Sequence, residues 1–268
     1  MSTITLSQDL AEMHCTGHAK KDNQGILLAG YSPNAPKGTA GAAWWPLPLI
    51  INRDFEIQIR FSLAHPGGLV DHTGVPGGEG LALTFQNYGP SYVGSPGSQL
   101  GYGKFRPFGM PEAYAIPAPE LVALEIDTFV NNEMCMPGTG TEDIGFVGKH
   151  MAIQYQSPHA YSLLAEEDLP HLGKEMQMGA SSEEHTLRIY YRASDGLMVC
   201  WMDEDSINAR KMSHRFQQRN LNALVGREQG CCYVGVTAST GRAWQDHRLL
   251  DFNVRGITKV HNPKNNLT

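Results

Sequence analysis

The sequence predicts an all-β protein, an antiparallel β-sandwich, on three observations. Short segments alternate apolar and polar residues with a period of two, which is the pattern of a half-buried strand. The loops between these segments are rich in turn-forming residues, with 29 glycines and 16 prolines among 268 residues. Helical periodicity is scarce. We expect a single domain spanning residues 1–268, because no Ser-, Gly- or Pro-rich linker divides the chain.

The strand pattern recurs along the chain and is clearest in residues 54–63, where Phe55, Ile57, Ile59 and Phe61 alternate with polar residues. The other predicted single strands are 80–86, 121–129, 150–157, 232–240 and 247–257. Residues 185–204 are predicted to form a hairpin that turns at 194–196. The long connections are 64–79, 87–120, 131–149 and 158–184, with loop insertions near 102–120, 131–149 and 158–184 and a short surface helix within 162–176.

Composition excludes several classes of partner. The net charge of −6 and the isoelectric point near 6.0 give no basic footprint for nucleic acid. No apolar run approaches the length of a membrane span. The first residues lack a basic segment followed by an apolar one, so we expect no secretory signal peptide. Five cysteines at irregular spacing predict mostly free, reduced thiols.

Two carboxylates in the predicted strand 121–129 need an explanation. Residues i and i+2 of a strand point the same way, so Glu125 and Asp127 share one face while Leu124 and Ile126 face the core. Two bare carboxylates on a partly buried face repel each other and are poorly solvated. They bind a metal, form a catalytic acid/base pair, or lie on a solvated face.

Residues downstream of this pair favour the metal. Asn131 offers an amide oxygen, Asp143 adds a third carboxylate, and His150 opens the next predicted strand. Calcium takes carboxylate, amide and backbone oxygens, whereas carboxylates with one imidazole suit a manganese-type transition ion. Two neighbouring cations that share carboxylates would satisfy both sets of ligands.

Six segments in order give the chain a resemblance to the L-type (legume-type) lectin family. They are GAAWWPLPLIINRDFEIQIRFSL, GGEGLALTFQ, GSQLGYG, ALEIDTFVN with the later Asp and His, HMAIQYQS and YVGVTASTGRAWQDHRLLDFNV. The resemblance implies a jelly-roll sandwich of the concanavalin A-like type. It also implies non-catalytic binding of a glycan or glycoprotein, in which metal ions shape the binding loop and perform no chemistry.

Carried over by position, the resemblance implies two metal sites. The transition-ion site, for Mn²⁺ or a similar ion, would consist of Glu125, Asp127, Asp143 and His150. The Ca²⁺ site would consist of Asp127, the Phe129 carbonyl, Asn131 and Asp143. Because the segment from Asn131 to Asp143 is longer than usual in the family, Glu142 and Glu133 remain alternatives to Asp143.

The resemblance also implies a sugar site. Its members would be Glu79, Asn131, Phe129 and the amide of Ser98 beside Gly97, with Arg242, Ala243 and Trp244 from the loop after TASTG. Trp244 either stacks on a sugar ring or seals the loop. Glu79 departs from the family, which has Asp there, and its longer side chain moves the carboxylate by about 1.5 Å. We expect the Gly78–Glu79 peptide bond to be cis, as the matching bond is in the family.

Two other functions are weighed against sugar binding. Laminarinase-type glycosidases share the sandwich but need a Glu-x-Asp-x-x-Glu strand. Here Val130 or its neighbour Phe129 takes the place of the second Glu, so we expect no enzyme. Alternatively, the sandwich is a structural or interaction module with a degenerate sugar site that decorates a larger particle or virion. An open polar pocket at Glu79 and Asn131 would favour the sugar binder, and a buried one the module.

The N-terminal segment, the oligomeric state and the compartment each have a further expectation. His14, Cys15 and His18 are potential zinc ligands, but without a fourth ligand we expect an incidental N-terminal strand. Several L-type lectins dimerise through their sheets, so the resemblance implies a homo-oligomer as a state to test. The compartment stays open, because the resemblance favours the outside of the cell and the cysteines favour a reducing environment.

Overall fold

The structure is a computed structural model that describes residues 5–7, 10–34, 38–71, 74, 76–103, 120–130, 149–156, 161–216, 220–226 and 230–255. Within these residues the strands are β1 (Thr5–Ser7), β2 (His14–Gly17), β3 (Lys20–Asp22), β4 (Gly25–Ala29), β5 (Ala40–Trp44), β6 (Leu49–Ile50), β7 (Phe55–Gly68), β8 (Gly80–Gln86), β9 (Leu121–Asp127), β10 (His150–Gln156), β11 (Tyr161–Asp168), β12 (Ser182–Arg192), β13 (Leu197–Met202), β14 (Arg210–Arg215), β15 (Cys231–Ser239) and β16 (Ala243–Arg255). The α-helices are α1 (Lys174–Gln177) and α2 (Leu221–Val225).

The described strands form two antiparallel sheets. The β7 sheet has the order β14-β13-β12-β7-β16-β4-β3, with β1 paired to β16. The β9 sheet has the order β11-β10-β9-β8-β15-β5-β2, with β6 paired to β15. Strands distant in sequence lie side by side in both sheets, as in a jelly roll. The predicted all-β, antiparallel sandwich is therefore confirmed.

The main core lies between the two sheets. It takes the inward residues of alternating strands, such as Ile57 and Ile59 on β7 and Leu124 and Ile126 on β9. Burial of such side chains contributes about 25 cal/mol per Å² of apolar surface, which makes this layer the main source of stability. The prediction that Leu124 and Ile126 face the core is confirmed.

A smaller apolar cluster covers the outer face of the β9 sheet. Leu121 and Ala123 of β9 contact Tyr92, Leu100 and Tyr102 from the connection after β8. These strand residues have the same parity as Glu125 and Asp127, so both carboxylates project from this outer face. The connection after β8 thus forms a lid beside the two carboxylates.

The structure corrects the predicted connection 158–184. Residues Tyr161–Asp168 form an edge strand against β10, although the whole of 158–184 was predicted as a connection. The strand carries three consecutive acidic residues, and the register of its partner β10 shifts between Ile153 and Gln154. Both features protect an exposed sheet edge from pairing with other strands. They also hide the period-two pattern from sequence reading. The predicted helix is confined to α1.

Two of the described cysteines, Cys200 and Cys232, are fully buried. Cys15, Cys200, Cys231 and Cys232 are free thiols, as predicted, whereas Cys135 lies outside the described residues. Burial raises the pKa of the Cys200 and Cys232 thiols, which keeps them protonated and unreactive.

Among the residues described, neither helix has the length and apolar character of a membrane span.

Candidate functional site

Three predicted metal ligands meet on adjacent strands at one end of the β9 sheet. His150, the first residue of β10, pairs directly with Asp127, the last residue of β9. Glu125 lies two residues back on the same face, and its Oε1 is 3.7 Å from His150 Nε2. All three residues are buried, with exposures of 3 to 5%. We call Glu125, Asp127 and His150 the β9 cluster.

Neutral donors hold Glu125 in place. The Tyr102 hydroxyl donates to Glu125 Oε2 at 2.6 Å, and Gln154 Nε2 donates to Glu125 Oε1 at 2.5 Å. Tyr102 belongs to the lid on the outer face of the β9 sheet, and Gln154 lies on β10 on the same face as His150. The separation of 3.7 Å between Glu125 and His150 is too long for a hydrogen bond.

The chain after Asp127 is fixed by side-chain acceptors. The Phe129 amide donates to Asp127 Oδ1 at 2.8 Å, and the Val130 amide donates to Asp71 Oδ2 at 3.3 Å. Asp71 belongs to the connection between β7 and β8 and is buried. These bonds direct the backbone towards Asn131, which lies outside the described residues, as does Asp143.

Lys149 adds a cation that the sequence analysis did not assign. It is buried just before β10, and burial lowers the pKa of its ammonium against the opposing pull of the Asp71, Glu183 and Asp127 carboxylates. Lys149 has the opposite strand parity to His150, so its side chain leaves the outer face that carries the β9 cluster.

The described part of the β9 cluster has the donor set of a transition-ion site. Two carboxylates and one imidazole are the ligand types that such ions accept. Within the described residues, the Glu125 oxygens receive hydrogen bonds only from neutral groups. His150 lies 3.7 Å from Glu125 and the Lys149 ammonium attracts the Asp127 carboxylate, so a multivalent cation would add to positive charge that is already nearby. The donors fit the implied ion.

Glu79 is joined by its backbone to the chain that leaves the β9 cluster. The Thr128 amide and the Thr128 hydroxyl both donate to the Glu79 carbonyl, each at 2.9 Å. Gln245 of β16 donates to the same hydroxyl at 2.8 Å. The Gly78–Glu79 bond is cis, as predicted. The residue that the resemblance assigns to the sugar thus lies directly beside the residues that it assigns to metal.

The Glu79 side chain lies among the other predicted sugar-site segments. A methyl group on Gly241 would be only 2.1 Å from Glu79 Oε1 and 3.3 Å from the Gly97 Cα, so these three residues converge. Position 241 must be glycine for the Glu79 carboxylate to lie where it does. Glu79 is 6% exposed in this arrangement.

Three more predicted sugar-site residues surround this point. The Ser239 hydroxyl donates to the Gly97 carbonyl at 2.6 Å, which ties the turn bearing Ser98 to the end of β15. A methyl group on Gly78 would lie 2.9 Å from the Ala243 Cβ and 3.0 Å from the Phe129 Cβ. The structure therefore brings Phe129, Ala243 and the Ser98 turn together around Glu79.

Trp244 lies on the opposite face of β16 from Ala243 and Gln245, because neighbours in a strand alternate. Its ring packs over Gly67 and Gly68 of β7 and has its centre 4.7 Å from that of Tyr31. Trp244, Tyr31 and Arg242 line a cavity of about 280 Å³. The predicted stacking of Trp244 on a sugar ring stays a prediction, while its packing on the two glycines is established.

Several residues of this site were missed by sequence reasoning. They are Asp71, Tyr102, Thr128, Lys149 and Gln154. Asp71 and Tyr102 contact the site from the connections before and after β8, so no local spacing reveals them. His14, Cys15 and His18, by contrast, do not form a ligand cluster within the described residues.

Comparison with solved structures shows the fold. The chain is similar to lectin I-B4 of Griffonia simplicifolia in its metal-free form, with a TM-score of 0.66, 18% identity and coverage of 96% of this chain and 100% of that one. It is similar to the winged bean acidic lectin complexed with methyl-α-D-galactose, with a TM-score of 0.68, 17% identity and coverage of 95% and 98%.

A third similar structure is the exoplasmic/lumenal domain of VIP36 in its Ca²⁺/Man₃GlcNAc-bound form, with a TM-score of 0.60, 15% identity and coverage of 95% of this chain and 88% of that one. No protein-family model matches the sequence. At these identities the similarity establishes the fold, which is the concanavalin A-like sandwich of the L-type lectins, as predicted.

Proposed function

We propose that the protein binds carbohydrate without catalysis, through a site that Ca²⁺ and a manganese-type ion organise. The observation that carries this proposal is the pair of hydrogen bonds from Thr128 to the Glu79 carbonyl. Through them, the backbone of Glu79, whose carboxylate is proposed for sugar, is tied to the residue that follows Asp127, whose carboxylate is proposed for metal. Similar solved structures in complex with a galactoside and with Man₃GlcNAc support the same use of the fold.

In this proposal the transition ion is held by Glu125, Asp127 and His150, and Ca²⁺ by Asp127 and the Phe129 carbonyl. Asn131 and Asp143 are the proposed remaining ligands from the sequence. The ions supply positive charge that fixes the loop after β9. The chain itself orients that loop through the Asp127–Phe129 and Asp71–Val130 hydrogen bonds.

The sugar is proposed to lie between Glu79, Asn131, Phe129 and the Ser98 amide. A carboxylate accepts hydrogen bonds from two adjacent hydroxyls, and an aromatic ring covers the C–H face of a sugar. The longer Glu79 side chain is accommodated by the missing side chain of Gly241. The site therefore keeps an acceptor in place despite the change from Asp to Glu.

The test is a glycan array in Ca²⁺ and Mn²⁺, followed by calorimetric titration of the best ligand. Glu79→Gln keeps the size of the side chain but removes its charge, and a charged hydrogen bond is worth about 1.5–3 kcal/mol. We expect binding to weaken about 10- to 100-fold. Glu56→Gln, on the β7 sheet, is the matched control and should bind like the wild type.

A second function, an interaction module on the same fold, is favoured by the 6% exposure of Glu79. A metal-loaded protein that binds no glycan on the array would establish this alternative. An array signal that Glu79→Gln and Glu56→Gln retain equally would instead place the sugar elsewhere on the protein.

A further inference from the structure

A second cluster of histidine and carboxylate groups lies outside the proposed sugar site. It consists of His171 in the turn between β11 and α1, His185 on β12, and Asp203 directly after β13, and we call it the histidine cluster. One ligand atom from each residue lies within 4.8 Å of the other two. His185 has the same strand parity as Leu187 and Ile189, so it faces the space between the sheets.

The spacing within the histidine cluster is close to that of a zinc coordination shell. Asp203 Oδ2 is 3.1 Å from His171 Nε2 and 2.8 Å from His185 Nδ1. Tetrahedral zinc with bonds of about 2.0–2.2 Å separates its ligand atoms by about 3.3 Å. The two separations from Asp203 are thus within about 0.5 Å of that distance, and the separation between the two imidazoles is at most 4.8 Å. The three side chains are only 7 to 12% exposed, which limits competition from water.

Neighbouring groups hold these ligands in an orientation that suits a metal. Asp203 Oδ1 accepts a hydrogen bond from the Thr186 amide at 2.9 Å, and the Asp203 amide donates to the Thr186 carbonyl at 2.8 Å. Asp203 Oδ2 is thereby aimed at the two imidazoles. Hydrogen bonds that fix a ligating carboxylate in this way are typical of metal centres.

Glu183 completes a carboxylate–histidine arrangement. Its Oε1 lies 3.2 Å from His185 Nε2 and accepts a hydrogen bond from the Gly173 amide. Within the described residues the buried Nε2 has no partner with hydrogen-bond geometry, so its contact with Glu183 is an ion pair. A histidine that turns one nitrogen to a metal commonly turns the other to a carboxylate, which fixes its tautomer. His185 thus presents Nδ1 to the same point as Asp203 Oδ2.

The histidine cluster opens into a cavity of about 540 Å³. His171, His185 and Asp203 line this cavity together with Lys174, Arg188 and Trp201. Three protein ligands beside an open space are the arrangement in which zinc keeps its fourth position for water or another ligand.

We propose that His171 Nε2, His185 Nδ1 and Asp203 Oδ2 bind a zinc-type transition ion. This site is separate from the β9 cluster, and the inference does not depend on carbohydrate binding. The ion would join the turn after β11 to the β12–β13 hairpin, elements that are otherwise linked here by the Glu183–Gly173 hydrogen bond and the contacts of Asp203.

The experiment measures zinc stoichiometry by equilibrium dialysis and elemental mass spectrometry on the full chain at about pH 8, where metal competes well with protons. The variants are His171→Gln and Asp203→Asn, which avoid the more buried His185. His14→Gln, on the exposed strand β2, is the matched control. Asp127→Asn removes a ligand from the β9 cluster and reports separately on zinc bound there.

We expect His171→Gln and Asp203→Asn each to bind one equivalent of zinc fewer than the wild type and the His14→Gln control. Glu183→Gln, which alters only a positioning residue, should retain the ion with about 10- to 100-fold weaker affinity. The Asp127→Asn variant should keep the zinc ion of the histidine cluster, even if it loses the ions proposed for the β9 cluster.

Cobalt provides a second readout, because its visible spectrum reports coordination geometry. The wild type should show the intense bands of four-coordinate Co²⁺, and His171→Gln should lose them. Equal zinc content in the wild type, His171→Gln and Asp203→Asn would overturn the proposal. The histidine cluster would then be an ion-paired network that fastens the turn after β11.

Discussion

The β9 cluster and the histidine cluster use the same kinds of side chain but hold them at different separations. In the β9 cluster, Glu125 and His150 are 3.7 Å apart and do not form a hydrogen bond. In the histidine cluster, Asp203 contacts both imidazoles at 2.8 and 3.1 Å. Within the described residues, only the histidine cluster brings one ligand atom from each of its three residues within 4.8 Å of the other two.

The two clusters also differ in the groups that surround their carboxylates. Burial alone lowers the pKa of His185, but the Asp203 and Glu183 carboxylates outweigh it and raise that pKa to about 9. At neutral pH a protonated His185 therefore balances its neighbours without a metal. Glu125 has only neutral donors within the described residues. Removal of metal should consequently destabilise the β9 cluster much more than the histidine cluster.

The largest expected effect separates the two clusters by function. Asp127→Asn removes a ligand that both proposed ions share, and we expect glycan binding to fall by at least about 100-fold. His171→Gln should leave glycan binding at the wild-type level, because it touches only the histidine cluster. Calorimetric titration with one ligand checks both variants. Equal losses in the two variants would contradict the assignment of the sugar to the β9 side.

A change at Gly241 tests the sugar site without altering a metal ligand. The methyl group of Gly241→Ala would lie 2.1 Å from Glu79 Oε1, so the carboxylate must move. We expect about 10-fold weaker glycan binding, with calcium content equal to that of the wild type. Unchanged glycan binding in this variant would show that the position of the Glu79 carboxylate is not used.

Tyr102 tests the lid over the β9 cluster. Tyr102→Phe leaves Glu125 Oε2 without its 2.6 Å hydrogen bond, which should lower the free energy of unfolding of the metal-free protein by about 1–3 kcal/mol. Tyr190→Phe removes an exposed hydroxyl that is 3.3 Å from Asp54, and it serves as the control with a smaller loss. Denaturant unfolding of both variants in EDTA makes the comparison.

His247 gives an effect of a different kind, a change in the pH dependence of stability. Complete burial lowers the pKa of His247 from 6.5 to about 3, and the Gln245 amide nitrogen lies 3.2 Å from its Nε2. Below pH 6.5 the unfolded chain takes up a proton that native His247 refuses. The contribution of neutral His247 to the free energy of unfolding is therefore complete above pH 6.5. Below pH 6.5 the free energy of unfolding falls by about 1.4 kcal/mol per pH unit.

The measurement for His247 is the slope of unfolding free energy between pH 7 and pH 5, approximately the range in which a normal histidine titrates. His247→Gln should show a shallower slope than the wild type, and the exposed control His14→Gln should match the wild type. A slope that His247→Gln leaves unchanged would assign the acid sensitivity to other groups.

The β9 cluster could be predicted because its geometry is local. Glu125 and Asp127 share a strand face by their spacing alone, and His150 begins the strand that pairs with theirs. The cis bond at Gly78–Glu79 followed from resemblance and is present. By contrast, strand β11 was missed because its acidic residues and the shifted register of β10 hide the alternation.

The histidine cluster could not be predicted from sequence. His171, His185 and Asp203 come from a turn, a strand and a second turn, and no spacing rule links them. The same holds for Tyr102, which reaches Glu125 only because the connection after β8 folds back over the outer face of the β9 sheet. Such contacts depend on how separate segments pack, which local patterns do not encode.

The most direct test of the account is the metal content of protein purified without chelator, measured by elemental mass spectrometry beside Asp127→Asn. We expect about one Ca²⁺ per chain in the wild type, almost none in the variant, and a melting temperature that EDTA lowers more in the wild type than in the variant. Wild-type protein that holds no calcium and melts at the same temperature with and without EDTA would contradict it.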